Sequence, residues 1–202
     1  MSQATVYVVD DDPDVLRAIE RLLSSAGYAV ATFPSPQVFL DQFDRDAPGC
    51  VVLDLAMPGL SGLETQRMLE ENASLLPIVF LTGRGDVASS VQAMKHGAMD
   101  FLTKPVDDAT LLAAVESALA KHDTLRRTHV ESVRIAACLA TLTSRERQVL
   151  EHLVAGRLNK QIAADLGTVE KTIKYHRANL MRKMGVRTFA DLVKLAQRGG
   201  VG

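Results

Sequence analysis

The chain has 202 residues, 47% of them hydrophobic and 23% charged, which is ordinary for globular proteins. At about 150 residues per domain, this length allows one or two domains. The sequence contains no run of 18 apolar residues and no basic-then-apolar leader, so we expect a cytoplasmic protein rather than a membrane-bound or secreted one. The two cysteines, Cys50 and Cys138, lie 88 positions apart, which excludes a disulfide framework and a paired-cysteine metal site.

The net charge of −1 conceals an asymmetry along the chain. Residues 1–140 carry 11 Lys and Arg against 19 Asp and Glu, whereas residues 141–202 carry 12 against 5. A basic stretch of this length is typical of a surface that binds the phosphate backbone of nucleic acid, although chance surface composition gives the same bias. The charge pattern suggests two parts with different partners.

The acidic part alternates short β-rich apolar runs with amphipathic stretches. The predicted strands are Thr5–Val9, Ala29–Phe33, 50–53, 78–81 and 101–103. The predicted helices run from Pro13 to a stop at Gly27, then over 36–43, Gly62–Glu71, 86–96 and 107–120. Parallel strands need crossover connections, and helices in those crossovers cover both faces of the sheet. The pattern predicts an α/β domain with a flavodoxin-like, doubly wound sheet of five parallel strands.

Polar residues follow four of these strands. In strand order they are Asp10-Asp11-Asp12, Asp54, Thr82 and Lys104-Pro105. Ligands of doubly wound sheets bind beyond the carboxyl ends of the strands, near the point where strand order reverses. A single Asp or Thr at such a position is usually a helix cap or a turn residue, but their joint placement at four strand ends favours a site.

The residue types at these strand ends indicate phosphoryl chemistry. Clustered carboxylates repel one another and stay ionised only beside a cation. Mg²⁺ suits them because it takes oxygen ligands and often binds phosphate oxygens at the same time. An Asp carboxylate can attack phosphorus and form an acyl phosphate while a metal ion and a Lys neutralise charge on the phosphoryl oxygens. Thr82 is then placed to hydrogen-bond the new phosphoryl group.

Four stretches of the acidic part carry a family resemblance. In chain order they are VYVVDDD, VVLDLAMPGLSG, PIVFLTGRGD and GAMDFLTKP. With them, residues 1–120 resemble the receiver domain of two-component response regulators. The resemblance implies that Asp54 is the phosphoacceptor and that Thr82 and Lys104 bind the phosphoryl group. It also implies an Mg²⁺ site made by Asp10, Asp11, Asp54 and the backbone carbonyl of Ala56.

The same resemblance places Thr82 and Phe101 at the family's switch positions and a cis peptide before Pro105. Two residues depart from the family pattern. Ala56 stands where relatives often have a longer polar or basic side chain, so its side chain cannot contact the phosphoryl group or an attacking water. Val106 replaces the aromatic residue common after Lys-Pro, which leaves less bulk beneath the fifth helix.

Residues 121–140 contain no Gly or Pro and are expected to form a helical linker. Leu125, Val133, Ala136 and Ala137 suggest an apolar stripe along it, which would offer a surface to a partner. Two alternatives remain open at this point. The fifth helix continues through the linker, or the linker frays around residues 122–128.

In residues 141–202 the pattern predicts helices and no strands. Four helices are expected, one capped by Thr143 or Ser144, one capped by Asn159, and two over 170–184 and 189–197. The short second helix, a turn at Gly167 and the basic third helix predict an all-α helix-turn-helix domain.

The third of these helices has an apolar face and a basic face. At 100° per residue, the inner face holds Ile173, His176, Leu180 and Met184. The outer face holds Lys171, Tyr175, Ala178 and Arg182, with Lys174 beside them. A basic helix face is usually only solvated, but a recognition helix places such a face in the DNA major groove.

Three stretches of the basic part also carry a resemblance, namely LTSRERQVLEHLVAG, NKQIAADLG and EKTIKYHRANLMRKMGV. They make residues 142–197 similar to the LuxR-type DNA-binding domain, and the chain similar to the FixJ-like branch of the NarL/FixJ response regulators. The resemblance implies that Lys174, Tyr175 and Ala178 face the groove, and we expect Arg182 to meet phosphate. Val169 stands where relatives usually have a capping Ser or Thr.

The two resemblances together imply a phosphorylation-controlled transcription factor. A sensor histidine kinase would phosphorylate Asp54, which would favour a homodimer or change domain contacts and so alter binding to double-stranded DNA. We expect no membrane partner and no enzyme activity beyond hydrolysis of the protein's own phosphoryl group. Two rival classes, a flavodoxin-like redox protein and an Asp-nucleophile phosphatase of the haloacid dehalogenase type, leave the basic part unexplained.

Overall fold

The structure is a computed structural model that describes residues 4–44, 47–83 and 87–201. The chain divides into two compact units, Met1–Arg126 and Arg127–Gly202. None of the helices within these described residues is long and apolar enough to cross a membrane.

The first unit alternates strands and helices in the predicted order. Its elements are β1 (Thr5–Val9), α1 (Pro13–Ser25), β2 (Ala29–Phe33), α2 (Pro36–Gln42), β3 (Gly49–Asp54), α3 (Gly62–Glu71), β4 (Ile78–Thr82), α4 (Val87–Lys95), β5 (Asp100–Thr103) and the start of α5 (Asp108–Ala140). Several predicted ends were wrong by one residue. Strands β3, β4 and β5 are longer than predicted, because pairing with neighbouring strands extends into the polar residues at their ends. Helix α2 ends at Gln42 because Phe43 is extended. The predicted start of α4, Asp86, lies outside the residues that the structure describes.

The described strands of this unit form a parallel sheet of five in the order β2-β1-β3-β4-β5. The strands lie in close register, with Val9 opposite both Phe33 and Leu53. Strand order reverses between β1 and β3, since β2 lies on one side of β1 and all later strands lie on the other. The predicted doubly wound fold is confirmed, and the carboxyl ends of β1 and β3 flank its switch point.

Both faces of the sheet are buried by helices. Tyr7 and Val9 of β1 belong to a core cluster that includes Phe39 of α2. Val6 and Val8 belong to a second cluster on the opposite face, which includes Leu23 of α1 and residues of α5. Fully burying one such side chain contributes roughly 1.5–3 kcal/mol, so strands that are apolar on both faces hold the sheet firmly between its helices.

Helix α5 runs without a break for 33 residues, which supports the continuous helix over the frayed linker. The predicted apolar stripe on it is exposed at three of its four residues, as a surface for a partner requires, and the partner itself stays a prediction. Val133 is 55% exposed, and Ala136 and Ala137 are exposed as well. The buried residues are Ile135 and Leu139, which belong to the core cluster of the second unit. Packing against that core decides which face is buried, and the apolar spacing alone does not reveal it.

The second unit contains the last part of α5 and the helices α6 (Ser144–Val154), α7 (Asn159–Asp165), α8 (Glu170–Lys183) and α9 (Phe189–Arg198). Thr143 caps α6 through a capping box with Glu146, as one of the two predicted alternatives required. The prediction that Asn159 caps α7 was wrong. Leu158 is the extended N-cap residue, with ψ 151°, and Asn159 is already the first helical residue.

Candidate functional site

Three charged residues meet at the carboxyl edge of the sheet. Asp10 follows β1, Asp54 ends β3 and Lys104 follows β5. The Lys104 ammonium lies 2.5 Å from Asp10 Oδ2 and 3.0 Å from Asp54 Oδ1. Asp10 is only 1% exposed and Asp54 only 5%. The sequence prediction that these strand ends converge is therefore confirmed for these three residues.

Backbone groups hold the remaining oxygens of both carboxylates. Asp12 N donates to Asp10 Oδ1 at 3.0 Å, and Ala56 N donates to Asp54 Oδ2 at 3.0 Å. Each buried carboxylate is thus fixed by one backbone N–H group and one shared ammonium. The result is a hydrogen-bonded polar cluster at the switch point of the sheet.

Burial and charge pull the pKa values of this group in opposite directions. Burial raises the pKa of the Asp54 carboxyl, while the hydrogen bond and the charge of Lys104 work against that rise. Burial opposes the charged form of Lys104, but hydrogen bonds to Asp10 and Asp54 outweigh it and raise the pKa of the ammonium. The positive charge of Lys104 therefore offsets the repulsion between the two neighbouring carboxylates of Asp10 and Asp54.

The other two acidic residues after β1 differ in role. Asp11 is exposed. Asp12 caps α1, because its side chain accepts hydrogen bonds from the backbone N–H groups of Asp14 and Val15. The third Asp of the run therefore orients the helix that follows β1.

The predicted switch residues lie on β4 and β5. Thr82 ends β4 and is fully buried. Phe101 is half-buried on the neighbouring strand, and its ring centroid lies 6.1 Å from that of Phe80. The Lys104–Pro105 peptide is cis, as predicted. Val106 is half-buried against the core cluster that α1 and α5 cover.

The donor set at this edge fits a magnesium ion. Asp10 and Asp54 supply carboxylate oxygens beside exposed Asp11, and Mg²⁺ commonly uses only one or two protein carboxylates and keeps its waters. Over the ranges that the structure describes, no three His, Cys, Asp or Glu side chains are arranged to hold a metal ion together. The predicted set of Asp10, Asp11, Asp54 and the Ala56 carbonyl remains a prediction.

Gly62 is a positioning residue that the sequence did not reveal. A Cβ at this position would lie 2.4 Å from the backbone oxygen of Asp54 and 3.0 Å from Leu55 Cα. The Gly62 N–H group donates to Leu55 O at 3.0 Å. Helix α3 thus begins directly against the end of β3, and only glycine permits that approach. The sequence shows Gly after a capping Ser, but the close contact depends on the tertiary fold.

The second candidate site is the outer face of α8. All five residues predicted for it are exposed, namely Lys171, Lys174, Tyr175, Ala178 and Arg182. On the inner face, Ile173, Leu180 and Met184 are buried, and His176 is half-buried. The predicted division of this helix into two faces is therefore confirmed, with one histidine at the boundary.

A partly buried ion pair connects α8 to α6. Lys183 Nζ lies 2.6 Å from Glu146 Oε2 and 2.9 Å from Thr141 O. Glu146 is 4% exposed, and the hydrogen bond from Lys183 lowers the pKa of its carboxyl to about 2. The Thr143-x-x-Glu146 spacing is a readable capping box, but nothing in the sequence marks Lys183 as its partner.

Comparison with known protein families assigns both parts of the chain. Residues 6–116 match the response regulator receiver domain, and residues 140–196 match the bacterial regulatory proteins of the luxR family. The chain belongs to the LuxR-type response regulators. This family consists of transcriptional regulators controlled by phosphorylation. Neither a flavodoxin-like redox protein nor a haloacid dehalogenase-type phosphatase accounts for the match to the luxR family.

Individual relatives match this response regulator over nearly its whole length. It is 43% identical to the transcriptional regulatory protein FixJ of Bradyrhizobium diazoefficiens, over 97% of this chain and 96% of FixJ. It is 42% identical to the response regulator protein TodT of Pseudomonas putida, over 96% of this chain and 86% of TodT. The solved structure of the response regulator StyR is similar with a TM-score of 0.87 at 42% identity, over 98% of this chain and all of StyR. These relatives support the predicted FixJ-like branch.

Proposed function

We propose that Asp54 of this response regulator accepts a phosphoryl group and that this group controls the binding of α8 to double-stranded DNA. The observation that carries the proposal is the meeting of Asp10, Asp54 and Lys104 at the switch point of the sheet. These residues give a nucleophile, a second carboxylate and a fixed positive charge within hydrogen-bond distance of one another.

The transfer forms a bond between an Asp54 carboxylate oxygen and phosphorus. The bond from phosphorus to the donor breaks, and its electron pair leaves with the donor group. The donor in the cell is a sensor histidine kinase. Lys104 already lies 3.0 Å from Asp54 Oδ1, so its ammonium is in place to neutralise charge on the phosphoryl oxygens. The Thr82 hydroxyl, at the end of the adjacent strand, hydrogen-bonds the product.

Magnesium belongs to the proposed site. Asp10, Asp11, Asp54 and the Ala56 carbonyl would hold it, and it would supply a further positive charge to the phosphoryl oxygens.

The proposed signal passes from the phosphoryl group to the β4–β5 side of the sheet. Thr82 is drawn toward the new group, and the half-buried Phe101 ring changes its position beside Phe80. This charge event biases the packing of the receiver surface and so favours a homodimer or releases a domain contact.

The proposed DNA contacts follow from the exposed face of α8. Lys174 and Tyr175 read base edges, and Ala178 offers only a methyl contact. Lys171 and Arg182 contribute positive charge, with Arg182 meeting a phosphate near the end of the helix.

Incubation of the full chain with acetyl phosphate and Mg²⁺ tests the receiver half by mass spectrometry. The wild type should gain one phosphoryl group and Asp54→Asn none. Asp12→Asn is the matched control, because Asn caps a helix as well as Asp does and the site residues are untouched. A normal mass gain in Asp54→Asn would assign the acceptor elsewhere.

Binding titrations on a base-substituted operator series at several salt concentrations test the DNA half. Tyr175→Ala should change base preference at one position per half-site by roughly 1–3 kcal/mol. Arg182→Ala should weaken all sequences alike and reduce the salt slope by about one. A uniform loss for Tyr175→Ala, with base preference unchanged, would remove it from direct readout.

A further inference from the structure

The N-terminal tip of α8 lacks the capping that other helices of this protein have. Val169 is its N-cap residue, with φ −101° and ψ 152°, and within the described part of the chain no side chain caps the helix there. In six other helices among the described residues, the side chain at the N-cap accepts a backbone hydrogen bond. These side chains belong to Asp12, Ser35, Ser61, Asp107, Thr143 and Thr188. Val is among the poorest N-cap residues, so the helix is less stable than it would be with Ser or Thr.

The Val169 side chain also gains little from burial. It is 64% exposed, although the residue four positions later, Ile173, is fully buried. The Val169 carbonyl takes part in the helix, because it accepts hydrogen bonds from Thr172 N at 3.0 Å and Ile173 N at 3.4 Å. Neither capping nor core packing therefore accounts for an isopropyl group at this position.

The position itself points to a contact with a base. The N-terminal residues of a recognition helix are the ones that reach base edges in the major groove. Val169 lies there beside exposed Lys171, on a unit with an excess of basic residues that suits DNA. An isopropyl group can neither donate nor accept a hydrogen bond, and the apolar group that the major groove offers is the C5-methyl of thymine.

We propose that Val169 is a specificity-determining residue whose methyl groups contact the C5-methyl of one thymine in each half-site. The proposal rests on the proposed function of α8. It adds a readout position at the tip of the helix, separate from Lys174, Tyr175 and Ala178 on its outer face.

Leu158 provides a matched control. It is the N-cap residue of α7, it is 69% exposed, and its own side chain caps no backbone group, although Gln161 Oε1 accepts a hydrogen bond from Leu158 N at 2.9 Å. The first helix of a helix-turn-helix crosses the DNA backbone, whereas the second enters the groove. Thr at either position should supply the missing cap, but only Val169→Thr should alter thymine recognition.

The test uses the full chain with acetyl phosphate and Mg²⁺, and a duplex that the wild type enriches from random double-stranded DNA. Each thymine is replaced in turn by uracil, which removes only the C5-methyl, and Kd is measured. Burial of one methyl group is worth about 0.8 kcal/mol, so the wild type should lose about fourfold in affinity at one thymine per half-site. Val169→Ala, which removes both γ-methyl groups, should lose that uracil penalty, Val169→Thr, which keeps one of them, should reduce it, and Leu158→Thr should leave it unchanged.

Thermal unfolding and enrichment separate the outcomes. A melting temperature for Val169→Thr at or above that of the wild type shows that the variant is folded. If the melting temperature of Val169→Thr is lower, the uracil profile of Val169→Ala is used instead. A uracil profile that is the same in the wild type and the folded Val169 variant overturns the proposal while the DNA-binding function stands. Failure of the wild type to enrich any duplex contradicts the proposed function and the Val169 contact together.

Discussion

Lys104 determines the charge balance of the candidate phosphoacceptor site. Its ammonium lies between two buried carboxylates, at 2.5 Å from Asp10 and 3.0 Å from Asp54. A phosphoryl group on Asp54 would bring further negative charge to the same place. We therefore expect the positive charge of Lys104 to stabilise the transition state of the transfer more than the resting protein.

Replacement of Lys104 by Met should slow phosphorylation of Asp54 by acetyl phosphate roughly 100-fold, the loss typical when one preorganised stabilising group is removed. Rates are followed by intact-protein mass spectrometry. Lys121→Met removes an exposed lysine of α5 and should leave the rate unchanged. Equal rates for Lys104→Met and the wild type would contradict the role of the ammonium.

Gly62 affects the site without carrying any charge. Because a Cβ there would meet the backbone of Asp54 at 2.4 Å, Gly62→Ala forces β3 and α3 apart. We expect a loss of about 1–3 kcal/mol in the free energy of unfolding, measured with urea, and slower phosphorylation of Asp54. Gly83→Ala is the control, since a Cβ at Gly83 would meet no atom within 4 Å. Unchanged stability and rate in Gly62→Ala would refute the close packing.

At the level of residues, the charged side chains of the candidate site were easier to predict from the sequence than the residues that hold its helices in place. Asp10, Asp54 and Lys104 could be found because they follow apolar strands whose ends must share one edge. Gly62 and Lys183 could not, since each matters through a contact that only the folded chain brings about. The assigned roles of the site residues remain predictions.

At the level of elements, the ion pair between α6 and α8 holds the proposed recognition helix in place. The pKa of Glu146 is about 2 in the folded protein, below its usual 4.5. A carboxyl with a lowered pKa stabilises the fold above its usual pKa, and this stabilisation is lost as pH falls from about 4.5 to about 2. The helix-turn-helix unit should therefore lose stability in that acid range.

Glu146→Gln should destabilise α6 and α8 by about 2 kcal/mol at pH 7, because it removes a hydrogen bond to a charged group. Hydrogen exchange of the backbone amides of both helices measures the loss, and the difference from the wild type should shrink as pH approaches 3. Glu151→Gln, on the exposed face of α6, should have little effect. A loss that is independent of pH would show that the carboxylate charge does not matter.

Secondary structure was readable from the sequence wherever the apolar period was unambiguous. Strands β1 and β2 and helix α3 begin and end where predicted, since caps or turn residues bound their apolar runs. The exposed stripe of the linker could be predicted, but its buried face could not, because alanines and valines recur on more than one face of a long helix. Only the core of the second unit shows that Ile135 and Leu139 face inward. The proposed domain bounds at residues 120 and 140 remain predictions.

At the level of the whole molecule, one chain joins an acidic unit that carries the proposed phosphoacceptor site to a basic unit that carries an exposed helical face. The asymmetry of charge anticipated this division. The family supports control of transcription by phosphorylation, and the proposed link between the two units is the change at Thr82 and Phe101. A coupling of this kind is usually worth 1–3 kcal/mol, which corresponds to a 5–150-fold change in affinity.

The most direct measurement compares DNA binding by the wild type and Asp54→Asn, each with and without acetyl phosphate and Mg²⁺, on the duplex that the wild type enriches. Mass spectrometry of the same samples records the phosphorylated fraction. The wild type should bind at least about 5-fold more tightly after phosphorylation, and Asp54→Asn should show one unchanged Kd. Equal affinities of phosphorylated and resting wild type, or the same gain in Asp54→Asn, would contradict the control of DNA binding by Asp54.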